Sequence, residues 1–303
     1  MDRFEAMSVF LAIVEAGSLS AAGRRLGLPL PTVSRRLSEL EAQLNARLIV
    51  RSTRRLTLSD AGAAYAAAAK RILSEVAEAE RAAAGEYAAP RGELVVAAPI
   101  VFGRLHALPL IVAFLRRFEE IDLRLMLSDR YANLIDDQID VAARIGALPD
   151  SSMAATRVGA VRRVVCGSPE LLARFGEPKM PDDLAGLPTI SFAGFDGPDG
   201  WIFPGTARPV PIRPRLSVNT AEAAIDAAAA GLGVTRVLSY QAASAVSEGR
   251  LRIVLAGHEP DPLPVSLVHP HRSPIPLKLR AFLDFLAPRL RARLSSSLEA
   301  GAT

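Results

Sequence analysis

The chain has 303 residues, half of them hydrophobic, with 36 Lys and Arg against 32 Asp and Glu, and a single cysteine. That length suits two or three domains, and one cysteine excludes an internal disulfide and a cysteine-based zinc cluster, which points to a reducing compartment, the cytoplasm. The opening "MDRFEAMSVFLAIVEAGS" carries Asp2 and Glu5 where a secretory leader carries positive charge, and no stretch reaches the roughly 18 uninterrupted apolar residues of a membrane span, so a soluble, unexported protein is expected.

Phe4, Met7, Phe10, Leu11 and Val14 fall at helical spacing and give a first helix that ends at Gly17, with Ser18 placed to cap a second over about Leu19 to Leu26. Gly27 breaks that helix, and Pro31 suits the first turn of a third, where its missing N–H costs nothing. In the third helix Val33, Leu37, Leu40 and Leu44 form one apolar stripe and leave Thr32, Arg35, Arg36 and Gln43 outside it. "RLIVRSTRRLTLSDAG" then alternates apolar and polar residues around the turn Ser52 to Arg55, a small β-hairpin with arginines at its tip. Ser59 can cap a long helix from about Asp60 to Tyr87, in which Tyr65, Ala69, Ile72, Val76, Ala79 and Ala83 form a heptad seam. "AAPRG" closes the segment as a linker.

From Glu93 the texture changes. "ELVVAAP", "LPLIVAFLRRF", "DLRLMLS", "YANLIDDQI" and "DVAARIG" read as strands alternating with helices, the signature of a parallel sheet flanked by helices. A second such unit runs through "RRVVCGS", a helix near Pro169 to Phe175, an irregular Gly/Pro-rich stretch from Asp182 to Pro214, "RLSVN" and "TAEAAIDAAAAGLGV". "PVSLVHP" is the last strand and a helix spans Leu277 to Arg293; the closing "SSSLEAGAT" has too little apolar material to pack and is expected to be disordered.

Charge is unevenly placed. Between Arg24 and Ser59 eight arginines stand against Glu39 and Glu41, a local excess of six positive charges in a chain of net charge +4. Three helices and a hairpin, with the third helix basic on one face, have the layout of a winged helix-turn-helix. The third helix of that fold enters the DNA major groove, where short side chains near its N-terminus reach base edges. Thr32, Ser34 and Arg35 or Arg36 hold that position, while Arg54 and Arg55 would lie along the backbone or in the minor groove. A solvated arginine face on an ordinary helix fits the periodicity and charge equally well.

The stretch "FLAIVEAGSLSAAGRRLGLPLPTVSRRLSELEAQLNARLIVRSTRRLTLSDAG" resembles the N-terminal domain of LysR-type transcriptional regulators, with Phe10, Val14, Gly17, Ser18, Ala22, Leu26, Pro31, Val33, Ser34, Leu40, Leu44, Leu48, Arg51, Leu58, Ala61 and Gly62 as matching anchors. The resemblance is close over about the first 62 residues and follows the same plan to about residue 290. It implies double-stranded DNA as a partner, held by Ser18, Ser20, Pro31, Thr32, Ser34, Arg35, Arg36, Arg51, Arg54 and Arg55. It also implies a homodimer or homotetramer paired through the long helix, a small-molecule effector, and RNA polymerase as a further partner. Three departures stand out. Pro29 and Leu30 replace the family's usual Ser-Gln and remove a polar base contact. Gly23 replaces Ala, which costs about 1 kcal/mol of helix propensity. Ile49 replaces the common Phe.

The C-terminal part resembles the family's effector-binding domain, two α/β lobes like those of periplasmic binding proteins. The expected fold class is therefore α/β overall, with a winged helix-turn-helix at 1–59, a linker and dimerisation helix at 60–92, and an effector domain at 93–303. Lobe one would be 93–162 with 267–292, and lobe two 163–266. Ligands of open α/β sheets gather beyond the carboxyl ends of strands. The cleft candidates on that rule are Ile100, Val101 and Phe102 after Pro99, Ser128 with Asp129, Arg144 to Gly146, Trp201 to Phe203, Asn219 and Thr220, and Gly233 to Thr235. Many relatives hold a ligand carboxylate with a Ser or Thr at the position of Val101. Valine has no donor, which leaves the task to backbone N–H groups or implies a less polar ligand, or none.

Other motifs weigh little. "GLGV" at 231–234 lacks the third glycine of a dinucleotide fingerprint and follows a helix, and His269 and His271 have no nearby acidic or cysteine partner for a metal. Cys166 lies in an apparent strand and suits a core position. No Ser, His and Asp spacing marks a catalytic site, and the residues point to no cofactor. The rival reading is a small-solute-binding protein with an N-terminal oligomerisation arm.

Overall fold

The computed structural model describes residues 2–51, 56–83, 89–130, 133–148, 153–192, 200–206, 208–271 and 275–299. The chain divides into two compact units, Met1–Ala88 and Ala89–Thr303.

In the first unit, α1 (Arg3–Ala16) starts where the Asp2 carboxylate accepts the Phe4 N–H at 3.1 Å, and it stops at a left-handed Gly17. Ser18 Oγ caps α2 (Leu19–Leu26) by accepting the Ala21 N–H at 3.1 Å. Pro29 opens α3 (Leu30–Leu44), with Pro31 in its first turn and a left-handed Asn45 after its last. Phe10, Ile13, Ala22, Val33, Leu37, Leu40 and Leu48 form one core, each large side chain worth about 1.5–3 kcal/mol on burial. Leu44, expected in the same stripe, is exposed, because it occupies the last turn of α3 before Asn45 reverses the chain.

The hairpin strands β1 (Ile49–Arg51) and β2 (Leu56–Leu58) pair antiparallel. One oxygen of Glu41 accepts the N–H groups of Leu48 and Ile49 at 2.8 and 3.1 Å and so fastens the hairpin to α3. Ser59 begins α4 (Asp60–Ala83): its Oγ accepts the Gly62 N–H at 2.9 Å and donates to the Arg47 carbonyl at 2.6 Å. Tyr65 meets Phe10 edge to face at 5.5 Å, and Tyr65 and Ala66 pack on the same core. The start of the expected heptad seam therefore serves this chain's own interior. Residues 84–88, at the expected end of the helix, lie outside the described residues.

Gly23 has a reason that helix propensity misses. The chain after α2 folds back so closely that the Leu28 N–H donates to the Gly23 carbonyl at 2.9 Å, and a Cβ on Gly23 would lie 2.8 Å from the Leu28 carbonyl oxygen.

The second unit begins with β3 (Gly92–Ala98), α5 (Ile100–Phe102), a π turn (Gly103–Ala107), α6 (Leu108–Arg117), β4 (Ile121–Leu127), β5 (Val141–Ile145) and β6 (Met153–Val161). It crosses at Arg162 into β7 (Arg163–Gly167), α7 (Pro169–Phe175), a 3-10 turn (Pro181–Gly186), β8 (Thr189–Phe192) and β9 (Pro214–Val218). Then follow α8 (Ala221–Ala229), β10 (Val234–Leu238), α9 (Ser239–Ser247), β11 (Arg252–Val254) and a 3-10 turn (Ala256–His258), before β12 (Leu263–Pro270) and α10 (Leu277–Glu299). Two five-stranded sheets result, β4-β3-β5-β12-β6 in lobe one and β11-β7-β10-β8-β9 in lobe two. β3 runs parallel to β4 and β5, and β8 parallel to β9 and β10. β12 is antiparallel to β5 and β6, and β7 to β10 and β11, so both sheets are mixed where a parallel sheet was expected.

Four expectations are corrected. "YANLIDDQI" is a turn over 134–138, not a helix: Asn133 Oδ1 accepts the Ile135 N–H at 3.1 Å and its Nδ2 donates to Asp136 at 2.6 Å, local bonds that compete with the helical ladder. The irregular stretch 182–214 contains β8, whose four residues are too few to show a period. Lobe one resumes at Leu263 rather than at 267: the strand expected over 264–270 belongs wholly to its sheet, and Leu263 to Val265 pair with Val161 to Gly159. Finally, α10 runs past Arg293 to Glu299, with Leu294 fully buried and Ser295 Oγ bonded back to the Arg291 carbonyl at 3.0 Å.

Candidate functional site

Ser18, Ser20, Pro31, Thr32, Ser34 and Arg35 gather at the N-terminal ends of α2 and α3; Thr32 and Ser34 are half-buried and the others exposed. Pro29 leaves the N-terminus of α3 without a capping side chain. Arg35, with 71% of its side chain exposed, reaches Glu39 one turn on at 3.7 Å, a kind of pair that contributes only about 0.3–0.5 kcal/mol. Arg36 behaves differently. Its side chain is 19% exposed and its guanidinium sits 2.7 Å from Glu5 on α1, so in the free chain Arg36 braces α3 against α1. The Arg51 backbone belongs to β1; its side chain, with Arg54 and Arg55, falls outside the described residues.

Between the lobes of the second unit lies a cavity of about 300 Å³, the size of a small-molecule site. Ends of β3, β4 and β5 supply Pro99, Met126, Ser128, Asp129, Arg130, Arg144 and Gly146. Lobe two supplies Arg163, Leu238, Tyr240 and Gln241. Three arginines against one carboxylate make the lining positive.

Ser128, Arg144 and Gly146 are thus placed as expected along the cavity. Ile100 is not among the lining residues; its N–H donates at 3.0 Å to Oδ1 of Asp129, which is. Val101 and Phe102 turn into the core of lobe one instead. Phe203 packs with Trp201, Leu184 and Val210 inside lobe two, where the Arg236 guanidinium stands 5.2 Å from the Trp201 ring. Thr235 is buried with its hydroxyl donating to the Ile190 carbonyl at 3.2 Å, and a Cβ on Gly233 would approach the Pro188 carbonyl oxygen to 2.6 Å. Asn219 is exposed, and Thr220 Oγ1 caps α8 by accepting the Ala223 N–H at 3.4 Å. These five residues, like Val101 and Phe102, are not among those lining the cavity; Phe203, Gly233 and Thr235 pack lobe two and Thr220 starts α8. Arg163, Tyr240 and Gln241 were missed, although Tyr240 lies two residues past the carboxyl end of β10.

Two crossings join the lobes. Arg162 in the first and Glu259 in the second form a largely buried bidentate pair at 2.7 and 2.9 Å, which ties the crossings together. Nearby, Phe102 and His106 of lobe one meet the Tyr240 ring of lobe two at 5.9 and 5.2 Å, both edge to face, and Arg104 reaches Glu222 at 3.6 Å. His106 lies on the π turn, a local distortion that recurs at functional sites. Burial pushes the Asp129 carboxyl up, the Ile100 N–H pulls it back and Glu222 adds to the rise. Burial, followed by the charge of Asp129, raises the Tyr240 phenol. Cys166, buried on β7, has its thiol pushed up to about 12 by burial, so it is not a reactive thiolate.

Burial, and secondarily Arg293, lowers the pKa of His106. The folded chain therefore takes up that proton only below the 6.5 at which the unfolded chain does. In the interval the unfolded state holds more protons, and acidification favours it. The melting temperature is expected to fall as pH drops through 6.5, and to fall less in His106→Phe, which keeps a ring against Tyr240 and loses the proton. Calorimetry on both proteins across that interval checks this; equal slopes would assign the proton elsewhere.

Among the described residues no group of three His, Cys, Asp or Glu is placed to hold a metal, and no helix is long and apolar enough to cross a membrane. Two family models match the chain: bacterial regulatory helix-turn-helix protein, lysR family, over residues 4–63, and LysR substrate binding domain over residues 88–291. An HTH-type transcriptional regulator of Xanthomonas campestris is 36% identical over 295 residues, spanning 93% of this chain and 84% of that protein. The HTH-type transcriptional regulator CrgA of Neisseria meningitidis is 34% identical over 291 residues, spanning 94% and 96%. The solved structure of CrgA, described as a LysR-type transcriptional regulator, matches at a TM-score of 0.60 and 33% identity over 94% of this chain and 98% of its own. Full-length LysG of Corynebacterium glutamicum, solved with bound effector Arg, shares the fold at a TM-score of 0.59 and 21% identity, over 96% and 98%.

Proposed function

The chain belongs to the LysR family of transcriptional regulators, and from that membership we propose how its residues divide the work. The exposed Arg35 in the second turn of α3 carries the reading, close to a helix N-terminus that no side chain caps. That open positive end and the arginine attract phosphate, while Thr32 and Ser34 reach base edges. Ser18 and Ser20 at the start of α2, with Pro31 and the wing residues Arg51, Arg54 and Arg55, complete the contact. Pro29 and Leu30 offer no polar group where the family usually has two, so the operator differs from those of relatives.

The protein acts in the cytoplasm as a homodimer or homotetramer, paired through the part of α4 beyond Tyr65, and works alongside RNA polymerase. An effector in the cleft of the second unit shifts the arrangement of the lobes and thereby DNA binding or bending, by no more than its affinity difference between the two arrangements. The test is retention of fragmented genomic DNA of the source by the purified protein at moderate salt, followed by sequencing. A few discrete sites carrying an interrupted inverted repeat are expected. Uniform retention, or none, would reduce the arginine face to generic charge and favour the solute-binding alternative.

A further inference from the structure

We propose that the cleft selects ligands whose buried end is a hydrogen-bond donor, a hydroxyl or a protonated amine, and rejects those that lead with a carboxylate. The proposal rests on the cleft being the effector site.

The backbone N–H of Ile100, at the start of the helical segment that runs from 100 to 117, points at the cavity wall and would suit an anion. Asp129 already holds it, with Oδ1 accepting that N–H at 3.0 Å. Val101 offers no side-chain donor and is buried, so a protein carboxylate stands where a ligand carboxylate would have to sit.

The other Asp129 oxygen, Oδ2, is buried with no hydrogen-bond partner among the described residues. The Tyr240 hydroxyl, from the opposite lobe, is buried too, in a residue 6% exposed, and its phenol oxygen is hydrogen-bonded by the Gln241 side chain. Gln241 beside it has its amide oxygen committed to the Leu238 N–H at 2.8 Å. Both Asp129 and Tyr240 line the cavity, and the charge of Asp129 is close enough to raise the phenol.

Buried polar atoms are nearly always bonded in a folded protein, so Asp129 Oδ2 and the phenol proton, which the committed Gln241 oxygen does not accept, call for a ligand group. Asp129 can only accept while ionised, whereas the phenol both donates and accepts. A hydroxyl that donates to Asp129 and accepts from Tyr240 satisfies the pair, and an ammonium donates to both. A carboxylate would set like charge against Asp129 and leave Oδ2 unpartnered. The positive charge of Arg130, Arg144 and Arg163 on the same cavity favours a negative or accepting tail on the rest of the ligand. The ligand class is thus a small acid with a hydroxyl or amino group at its far end.

The test is calorimetric titration of the full-length protein with 5-hydroxypentanoate, 5-aminopentanoate and glutarate, which share a carbon chain and one carboxylate. The wild type is expected to bind the first two about 10- to 100-fold more tightly than glutarate, the value of a hydrogen bond to a charged group. Asp129→Asn keeps an oxygen for Ile100 and turns an N–H toward the ligand, so the order reverses; Tyr240→Phe weakens the hydroxy acid about tenfold without reversal. The wild-type preference stands as a test even if a variant does not fold. Glutarate binding as tightly as the other two would overturn the proposal and leave the effector site standing. Absence of binding by all three also overturns it. The effector reading fails separately, if no compound that binds the protein alters its footprint on operator DNA.

Discussion

Gly62→Ala is expected to destabilise the first unit by about 3 kcal/mol and to cost more than about tenfold in operator affinity. The added Cβ would lie 1.9 Å from the Leu48 carbonyl oxygen, 2.8 Å from its carbon and 3.2 Å from its Cα. All three are backbone atoms, so no side-chain rotation relieves the clash. Leu48 cannot yield easily either: its N–H is held by Glu41 at 2.8 Å, its carbonyl accepts the Ser59 N–H at 3.0 Å, and its side chain is buried in the core. Alanine regains about 1 kcal/mol of helix propensity over glycine, too little to offset a backbone displaced at the root of the hairpin. Urea unfolding followed by circular dichroism, with operator binding measured in parallel, checks both halves. Gly23→Ala provides a graded comparison, since its closest approach is the milder 2.8 Å. A wild-type midpoint for Gly62→Ala would mean that the helix and hairpin do not meet as described.

The contrast between these glycines bears on what the sequence discloses. The first unit was legible because its signals are local: Gly17 and Gly27 end helices, Ser18 and Ser59 cap them, and Pro31 sits in a first turn. Each of these depends on residues three or four positions away. The reason for Gly62 depends on Leu48, and the pairing of Arg36 with Glu5 joins two helices through residues thirty-one apart, so neither has a local signature.

The cleft shows the same divide. The rule that ligands collect at carboxyl ends of strands found Ser128, Arg144 and Gly146, because β4 and β5 end visibly. It failed at β10, which begins at Val234, so Gly233 and Thr235 stand at its amino end, opposite to where the rule looks. Read through "VTRVL", the same rule leads to Tyr240. Asp129 followed from the strand end, but its bond to the Ile100 N–H joins residues 29 apart, and only the folded chain shows that the helix start is already occupied.

Operator affinity is expected to fall about 10³- to 10⁵-fold between 50 and 200 mM salt if six to ten phosphates are neutralised, and this slope separates the roles of the two neighbouring arginines. Arg35, exposed and only loosely paired with Glu39, is positioned to leave that carboxylate for DNA. If it contacts phosphate, Arg35→Ala lowers the slope by about one; if it reads a base edge, the slope stays and affinity drops by about 1–3 kcal/mol with relaxed sequence preference. Arg36→Ala acts by another route. It leaves Glu5 without its cation at 2.7 Å and loosens α3 from α1, so its signature is a lower melting temperature with an unchanged salt slope. Binding isotherms at four salt concentrations for the wild type and both variants, with thermal melts of the same samples, distinguish these outcomes. A flat salt response in the wild type would sink the interface as drawn. A lowered slope in Arg36→Ala would return that arginine to the DNA surface and make its pairing with Glu5 a contact that DNA displaces.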